Sequence, residues 1–236
     1  MIIDILHLYP REMNLYGDHG NVLTLQRRLE WRGYEVRVNT YEPGDDLPDK
    51  IDIIFGGGGQ DSGQEKITSD LLKIAPKLQK LIDTGTPTLV ICGLYQLFGK
   101  SFIALGSKHL DGTNILPLKT IAGPKRLIGN IVIKTKFGEI VGYENHSGIT
   151  QLDQNAKEFG TVIKGHGNNG LDKTEGCIYK NCIGTYLHGP ILPKNPKLAD
   201  FLIKTAIENQ TGKPCKLGPL DDKLENQAHK VATTRP

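Results

Sequence analysis

Apolar residues in this chain fall into short runs of two kinds. Ile2–Leu8 is a compact apolar run of strand length, whereas residues 21–32 carry Val22, Leu25 and Leu29 at helical spacing until Gly33 stops the pattern. Glu35–Tyr41 alternates with period two, and residues 52–55 form a short buried-strand run that ends in four glycines. Residues 71–82 are helical by spacing, with Pro76 as an interruption. Thr88–Ile91 is a fourth apolar run, and residues 94–98 follow it with no turn cluster between. Strands that alternate with helices pair in parallel. The first half therefore predicts an α/β fold with a mostly parallel central sheet flanked by helices.

The second half reads differently. Residues 127–136, 139–143, 161–164, Cys177–Tyr179 and 183–187 are short strands joined by glycine-rich turns, expected as antiparallel additions to the same core. Residues 196–209 form a closing helix, and after Thr211 the composition turns polar and charged. The expectation is one domain over residues 1–210 and a polar tail, helical or disordered, over 211–236.

Composition changes this picture little. Of 236 residues, 38% are hydrophobic and 23% charged, which suits an ordinary globule with a sizeable core. A net charge of +3, with no basic block interleaved with aromatics, argues against nucleic acid. No apolar run approaches the roughly 20 residues of a membrane-spanning helix. The first residues read as a strand and not a signal peptide, so the expected location is cytoplasmic. Cys92, Cys177, Cys182 and Cys215 include no C-x-x-C pair; Cys177 and Cys182 read as small core residues on strands either side of a Lys180-Asn181 turn. No disulfide framework and no metal site are expected, since His and acidic residues lack ligand spacing such as H-E-x-x-H.

Candidate chemistry concentrates in three places. In residues 88–96 an apolar strand runs into Cys92 and then directly into Gly93 and helix-like residues, the shape of a nucleophile elbow. Such a turn exposes the sulfur at the carboxyl end of a sheet and at a helix N-terminus, whose partial positive charge favours a thiolate. The segment alone fits a buried small residue as well as a nucleophile. Phe55 precedes four glycines, Gly56 to Gly59, which permit close backbone approach and suit an oxyanion donor, a phosphate loop or a plain turn. Neither G-x-x-x-x-G-K-[ST] nor G-x-G-x-x-G with a suitable acid is present, so nucleotide binding is the weaker reading. His188 follows a strand and precedes a Gly189-Pro190 break, at a place from which a ring can serve a cysteine as acid and base.

Together these segments resemble the class I glutamine amidotransferases of the cobyric-acid-synthase-like branch. Within it they are similar to the glutaminase subunits of lipid II isoglutaminyl synthases. The resemblance rests on NLYGDHGN (14–21), IIFGGGGQD (53–61), ICGLYQLFGK (91–100), the R-x-I-G-N box from Arg126 to Asn130, GYENHSG (142–148), GHGNN (165–169) and YKNCIGTYLHGPILPKNP (179–196).

The resemblance implies a class I amidotransferase fold in which Cys92 attacks the side-chain amide of L-glutamine. A thioester forms, ammonia leaves and water releases glutamate, with His188 as general acid and base. Gly93 and one of Gly57 to Gly59, taken as Gly58, supply oxyanion N–H groups, and Arg126 grips the α-carboxylate of glutamine. The chain itself holds no cofactor. Its implied partner in a heterodimer is a Mur-ligase-like subunit that uses ATP and Mg²⁺ to activate the α-carboxyl of D-glutamate in the lipid II stem peptide. Ammonia passed to that subunit gives D-isoglutamine, a step of peptidoglycan biosynthesis.

Two positions depart from the family pattern. Leu94 stands where the elbow usually has glycine, so an isobutyl group must fit where the helix starts. Pro190 stands where many members carry an acidic residue two places after the histidine. The orienting carboxylate is then expected from the partner, with Glu144 and Asp61 as candidates in this chain. His146 and His166 are read as histidines shaping the pocket wall. Two other readings fit the same residues: a stand-alone cysteine amidohydrolase of the same fold, and a non-catalytic scaffold subunit of a ligase.

Overall fold

In the computed structural model, which describes every residue except Leu105, Ser107 and Pro236, the first apolar run is β1 (Ile2–Leu8), buried from Ile3 onward. A strand apolar on both faces must be covered on both, which places it inside a parallel sheet. There follow α1 (His19–Glu30), β2 (Glu35–Tyr41), β3 (Ile53–Gly56), α2 (Asp61–Asp83), β4 (Thr88–Ile91) and α3 (Gly93–Leu97). β1 pairs in parallel with both β2 and β3, and β3 with β4. The chain leaves β1 on one side and returns on the other, which opens a crevice at the carboxyl ends of the strands.

Pro76 does not interrupt α2, which runs through it. It is exposed, off the buried stripe of Leu71, Ala75 and Leu78, where water can satisfy the carbonyl that loses its N–H partner.

The second half supplies β5 (Ser101–Ile103), β6 (His109–Asp111), β7 (Leu118–Thr135), β8 (Gly138–Leu152), β9 (Gly160–Lys164), β10 (Thr174–Glu175), β11 (Cys177–Tyr179) and β12 (Cys182–Thr185). β12 joins β4 in parallel and β11 closes that edge antiparallel, giving the order β11-β12-β4-β3-β1-β2. The other strands build a second sheet, β10-β9-β7-β5-β6, with β8 paired to β7. They share the core as expected but do not extend the first sheet. Their burial alternates along β7, so one face meets the core and the other solvent, unlike the doubly covered β1, β3 and β4.

β7 and β8 also run well beyond the spans read from sequence. Gly123-Pro124, ahead of the strand start expected at residue 127, lies in a register shift of β7 between Ala122 and Leu127, where a proline removes no ladder bond. The two sheets meet where His188 N donates to Tyr143 O at 2.7 Å and Tyr143 N donates back to His188 O at 3.2 Å.

α4 (Pro196–Thr211) ends at Gly212, whose φ of 66° is the left-handed cap that glycine adopts readily. The polar tail then forms α5 (Lys223–Thr234). Buried Arg28 of α1 donates to Asp200 of α4 at 2.9 Å and to both oxygens of Asp222 at 2.5 and 3.1 Å, which ties the start of α5 to the domain. No helix among the described residues is long and apolar enough to cross a membrane.

Candidate active site

Cys92 is the residue between β4 and α3, with φ 47° and ψ −100°. A side chain in this region of backbone space is strained by about 1–3 kcal/mol, and such strain collects at functional turns. The turn is over-determined by its neighbours: Cys92 N donates to Thr185 O of β12 at 2.8 Å, and Gln96 N returns to Cys92 O at 2.9 Å. Gln64 of α2 clamps the elbow from outside, donating to Gly93 O at 3.0 Å and Gln96 Oε1 at 2.9 Å. Gln96 continues to the Tyr186 hydroxyl at 3.2 Å, which meets Thr150 Oγ1 at 2.6 Å.

Two glycines let this turn pack. A β-carbon on Gly93 would stand 2.9 Å from Gly59 N, so the first residue of α3 lies directly against the glycine loop. Leu94 is fully buried, and its Cδ1 fills the space that a side chain on Gly56 would need. The unusual leucine of the elbow is thus matched by the first glycine of the loop.

His188 is fully buried and stands beside Cys92 across Gly58: a β-carbon on Gly58 would lie 2.6 Å from His188 Cε1 and 3.1 Å from Cys92 Cβ. The other side of the ring meets Asp18, with Nδ1 to Oδ1 at 3.5 Å and both residues fully buried. Burial opposes the imidazolium, but the charge of Cys92 and then the contact with Asp18 outweigh it and hold His188 well above its usual pKa, at about 10. Tyr16 packs edge-on to the same ring, with centroids 5.0 Å apart.

Asp18 lies between the 3-10 turn Leu15–Gly17 and α1, which follow β1 at the crevice. Its Oδ2 accepts Gly58 N–H at 2.6 Å, while Leu15 N donates to Gly58 O at 3.0 Å. Gly58 is therefore held by both of its peptide groups, and its N–H points at Asp18. Among the described residues no partner takes the N–H of Gly59 or Gly93, which adjoin one another.

Arg126 sits in the register shift of β7, which turns its side chain into the cleft. Its Nε and Nη2 donate to Asn145 Oδ1 and O at 2.8 and 2.9 Å, and Asn145 Nδ2 donates to the Tyr16 hydroxyl at 2.6 Å. Tyr16, Asn145 and Arg126 thus bridge the mouth of a cleft of about 500 Å³, with Cys92, Gln96 and His146 in its lining.

Cys92, His188, Gly93, Gly58 and Arg126 come together here from four separate segments. Gly58 reaches the site, but its N–H is engaged by Asp18, and Gly59 is the loop glycine with a free N–H beside Gly93. His146 lines the cleft as a wall: it stacks on Tyr186 with centroids 3.5 Å apart, and burial lowers its pKa to about 3, so it stays neutral. Glu144 points away, accepting the N–H groups of His166 and Gly167 at 2.6 and 2.9 Å, and Asp61 opens α2 at the edge of the cleft. Neither meets His188.

Asp18 does, and sequence reasoning passed over it. An aspartate before a helix reads as an ordinary cap, although Asp18 makes no side-chain cap bond. Pro190, where an acid was sought, packs its ring on Gly20, two residues beyond Asp18. No cluster of three or more His, Cys, Asp or Glu side chains suited to a metal occurs among the described residues.

Residues 4–196 match the CobB/CobQ-like glutamine amidotransferase domain. The chain is 42% identical over 238 aligned residues to the lipid II isoglutaminyl synthase (glutamine-hydrolyzing) subunit GatD of Staphylococcus aureus, covering 99% of this chain and 96% of that one. It is 37% identical to the protein of the same name from Streptococcus pneumoniae, over 95% of this chain and 88% of that one. Among solved structures it resembles PurLQS from Thermotoga maritima, with a TM-score of 0.58 and 16% identity over 86% of this chain and 98% of that one, a likeness of fold.

Proposed function

The chain belongs to the CobB/CobQ-like glutamine amidotransferase family, and we propose that within it this protein is the glutamine-hydrolysing subunit of a lipid II isoglutaminyl synthase. The observation that carries the reading is the placement of Cys92 on a positive-φ elbow beside buried His188. Identity over nearly full length with two relatives of that name supports the choice of synthase.

His188, held above its usual pKa beside Cys92 and Asp18, is a ring that can carry the proton this chemistry moves. Cys92 Sγ attacks the carboxamide carbon of glutamine, forming the C–S bond, and the carbonyl oxygen becomes an oxyanion beside the N–H groups of Gly93 and Gly59. His188 gives its proton to the departing nitrogen, ammonia leaves, and a thioester remains. Water then adds to the thioester as His188 takes back a proton, and glutamate departs from the sulfur. Arg126, with Nε and Nη2 anchored on Asn145, presents Nη1 for the α-carboxylate of glutamine.

The ammonia serves a Mur-ligase-like partner in a heterodimer, which amidates the α-carboxyl of D-glutamate in the lipid II stem peptide to D-isoglutamine. ATP and Mg²⁺ belong to that partner. The fit of Leu94 over Gly56 supports a working elbow over a decayed scaffold.

The test is Cys92→Ala in the complex purified with its ligase partner. Glutamine-dependent amidation and glutamate release should vanish, while amidation supported by ammonium salts persists. Loss of both would make Cys92 structural and remove the reading.

A further inference from the structure

We propose that Asp18 is the positioning carboxylate of this site, one oxygen orienting His188 through Nδ1 while the other holds the Gly58 peptide between His188 and Cys92. The proposal deepens the amidotransferase reading and rests on it. It also replaces the expectation that the partner must bring the acid.

Four observations carry it. Asp18 and His188 are both fully buried, and Oδ1 faces Nδ1 at 3.5 Å. Catalytic contacts of this kind are often long without substrate and tighten when it binds. The second oxygen is fixed by Gly58 N–H at 2.6 Å, so the carboxylate cannot turn away from the ring. The segment that carries Asp18 is itself pinned, by Leu15 N on Gly58 O at 3.0 Å and His19 N on Asn14 Oδ1 at 2.7 Å. Finally, neither Asp18 Oδ1 nor His188 Nδ1 has a hydrogen-bond partner among the described residues, and each is the polar atom that the other faces. Two buried polar atoms that face each other alone are costly unless they pair.

The consequence is tautomeric. A carboxylate at Nδ1 keeps the ring proton there, so Nε2 carries the proton that moves to and from the reacting atoms. Because the same carboxylate holds Gly58, the orientation of the base and the conformation of the glycine loop depend on one side chain.

Asp18→Asn tests this in the chain purified with its ligase partner. The amide oxygen can still accept Gly58 N–H, so the fold is kept. Its NH₂ would face Nδ1 and force the proton to Nε2, the wrong tautomer. Glutamate release should lose kcat by about a hundredfold or more with KM for glutamine within about threefold. The alkaline limb of the pH–kcat profile should also move to lower pH. A variant with kcat within threefold of the parent and an unmoved pH profile would overturn the proposal and return the acid to the partner.

Nitrogen-15 histidine spectra of the unmutated protein give a second readout that needs neither turnover nor a folded variant. His188 Nδ1 should stay protonated throughout the titration; a neutral ring carrying its proton on Nε2 alone would also overturn the proposal. If the unmutated complex released no glutamate, the amidotransferase reading would fail while these spectra still decided the role of Asp18.

Discussion

Leu94 and Gly56 are complementary: the isobutyl group at the start of α3 occupies the volume that a side chain at the end of β3 would need. The pair therefore gives a double-mutant cycle with a definite sign. Gly56→Ala overpacks the elbow and should destabilise by about 1–3 kcal/mol, and Leu94→Ala leaves a buried cavity at about 2–5 kcal/mol. The double variant should be more stable than the sum of the two predicts, by at least about 0.5 kcal/mol. Urea denaturation of the four proteins measures this; strict additivity would mean that the two residues do not compete for one space.

At Cys92 the backbone, not the side chain, should dominate stability. With φ 47° and ψ −100° the position suits glycine better than any residue with a β-carbon. Cys92→Gly should therefore be more stable than Cys92→Ala by about 1 kcal/mol, the reverse of the usual order in an α-helix or strand. Both should release no glutamate. Thermal unfolding of the two inactive variants is the direct comparison, and a less stable glycine variant would show that the turn is not strained.

Arg126→Ala should raise KM for glutamine by about 10–100-fold with kcat nearly retained, because a grip on the α-carboxylate acts equally in ground and transition states. Arg126→Lys should recover little of this. An ammonium lacks the planar fork that lets Nε and Nη2 bind Asn145 while Nη1 stays available. Steady-state kinetics with glutamine varied separates the outcomes, and a loss confined to kcat would move Arg126 from binding to chemistry.

Glu175 offers a pH dependence independent of turnover. It is fully buried, and desolvation raises its pKa to about 8 despite the bonds it accepts from Tyr186 N and Thr185 Oγ1. The folded protein thus keeps a proton that the unfolded chain gives up above the ordinary glutamate range. Its favourable contribution is complete below about pH 4.5 and is lost as pH rises towards 8. Glu175→Gln removes that dependence while keeping an acceptor oxygen, so its urea midpoint relative to the parent should rise between pH 5 and about pH 8. A constant difference across that range would mean that the carboxyl titrates normally.

Several parts of this molecule were legible in the chain because they depend on neighbours in sequence. The limits of β1, β2 and β4 follow from short apolar or alternating runs. The elbow followed from an apolar strand, Cys92 and Gly93 with no turn residue between them. α5 is one of the two forms expected for the polar tail, and its start is held by Arg28 meeting Asp222, a contact between residues far apart in the chain.

The long hairpin of β7 and β8 was not legible, because Gly123-Pro124 carries the local signature of a turn and only the partner strand absorbs it as a register shift. The same irregularity aims Arg126 into the cleft, a direction that no residue type encodes.

Local pattern along the chain therefore settled the parallel α/β half and offered Cys92 as an elbow candidate, while the family resemblance tied that candidate to His188 and to amide chemistry. It could not select the third member of the site. Pro190 lacks a carboxylate, and Asp18, 170 positions before His188, carries no local mark beyond preceding a helix. Their meeting depends on β1 and β12 lying in one sheet, on the Tyr143 bridge that fixes His188, and on Gly58 holding the carboxylate in place. Those are long-range contacts, made only when two sheets close on a common core, and they turn a cysteine and a histidine into an ordered site.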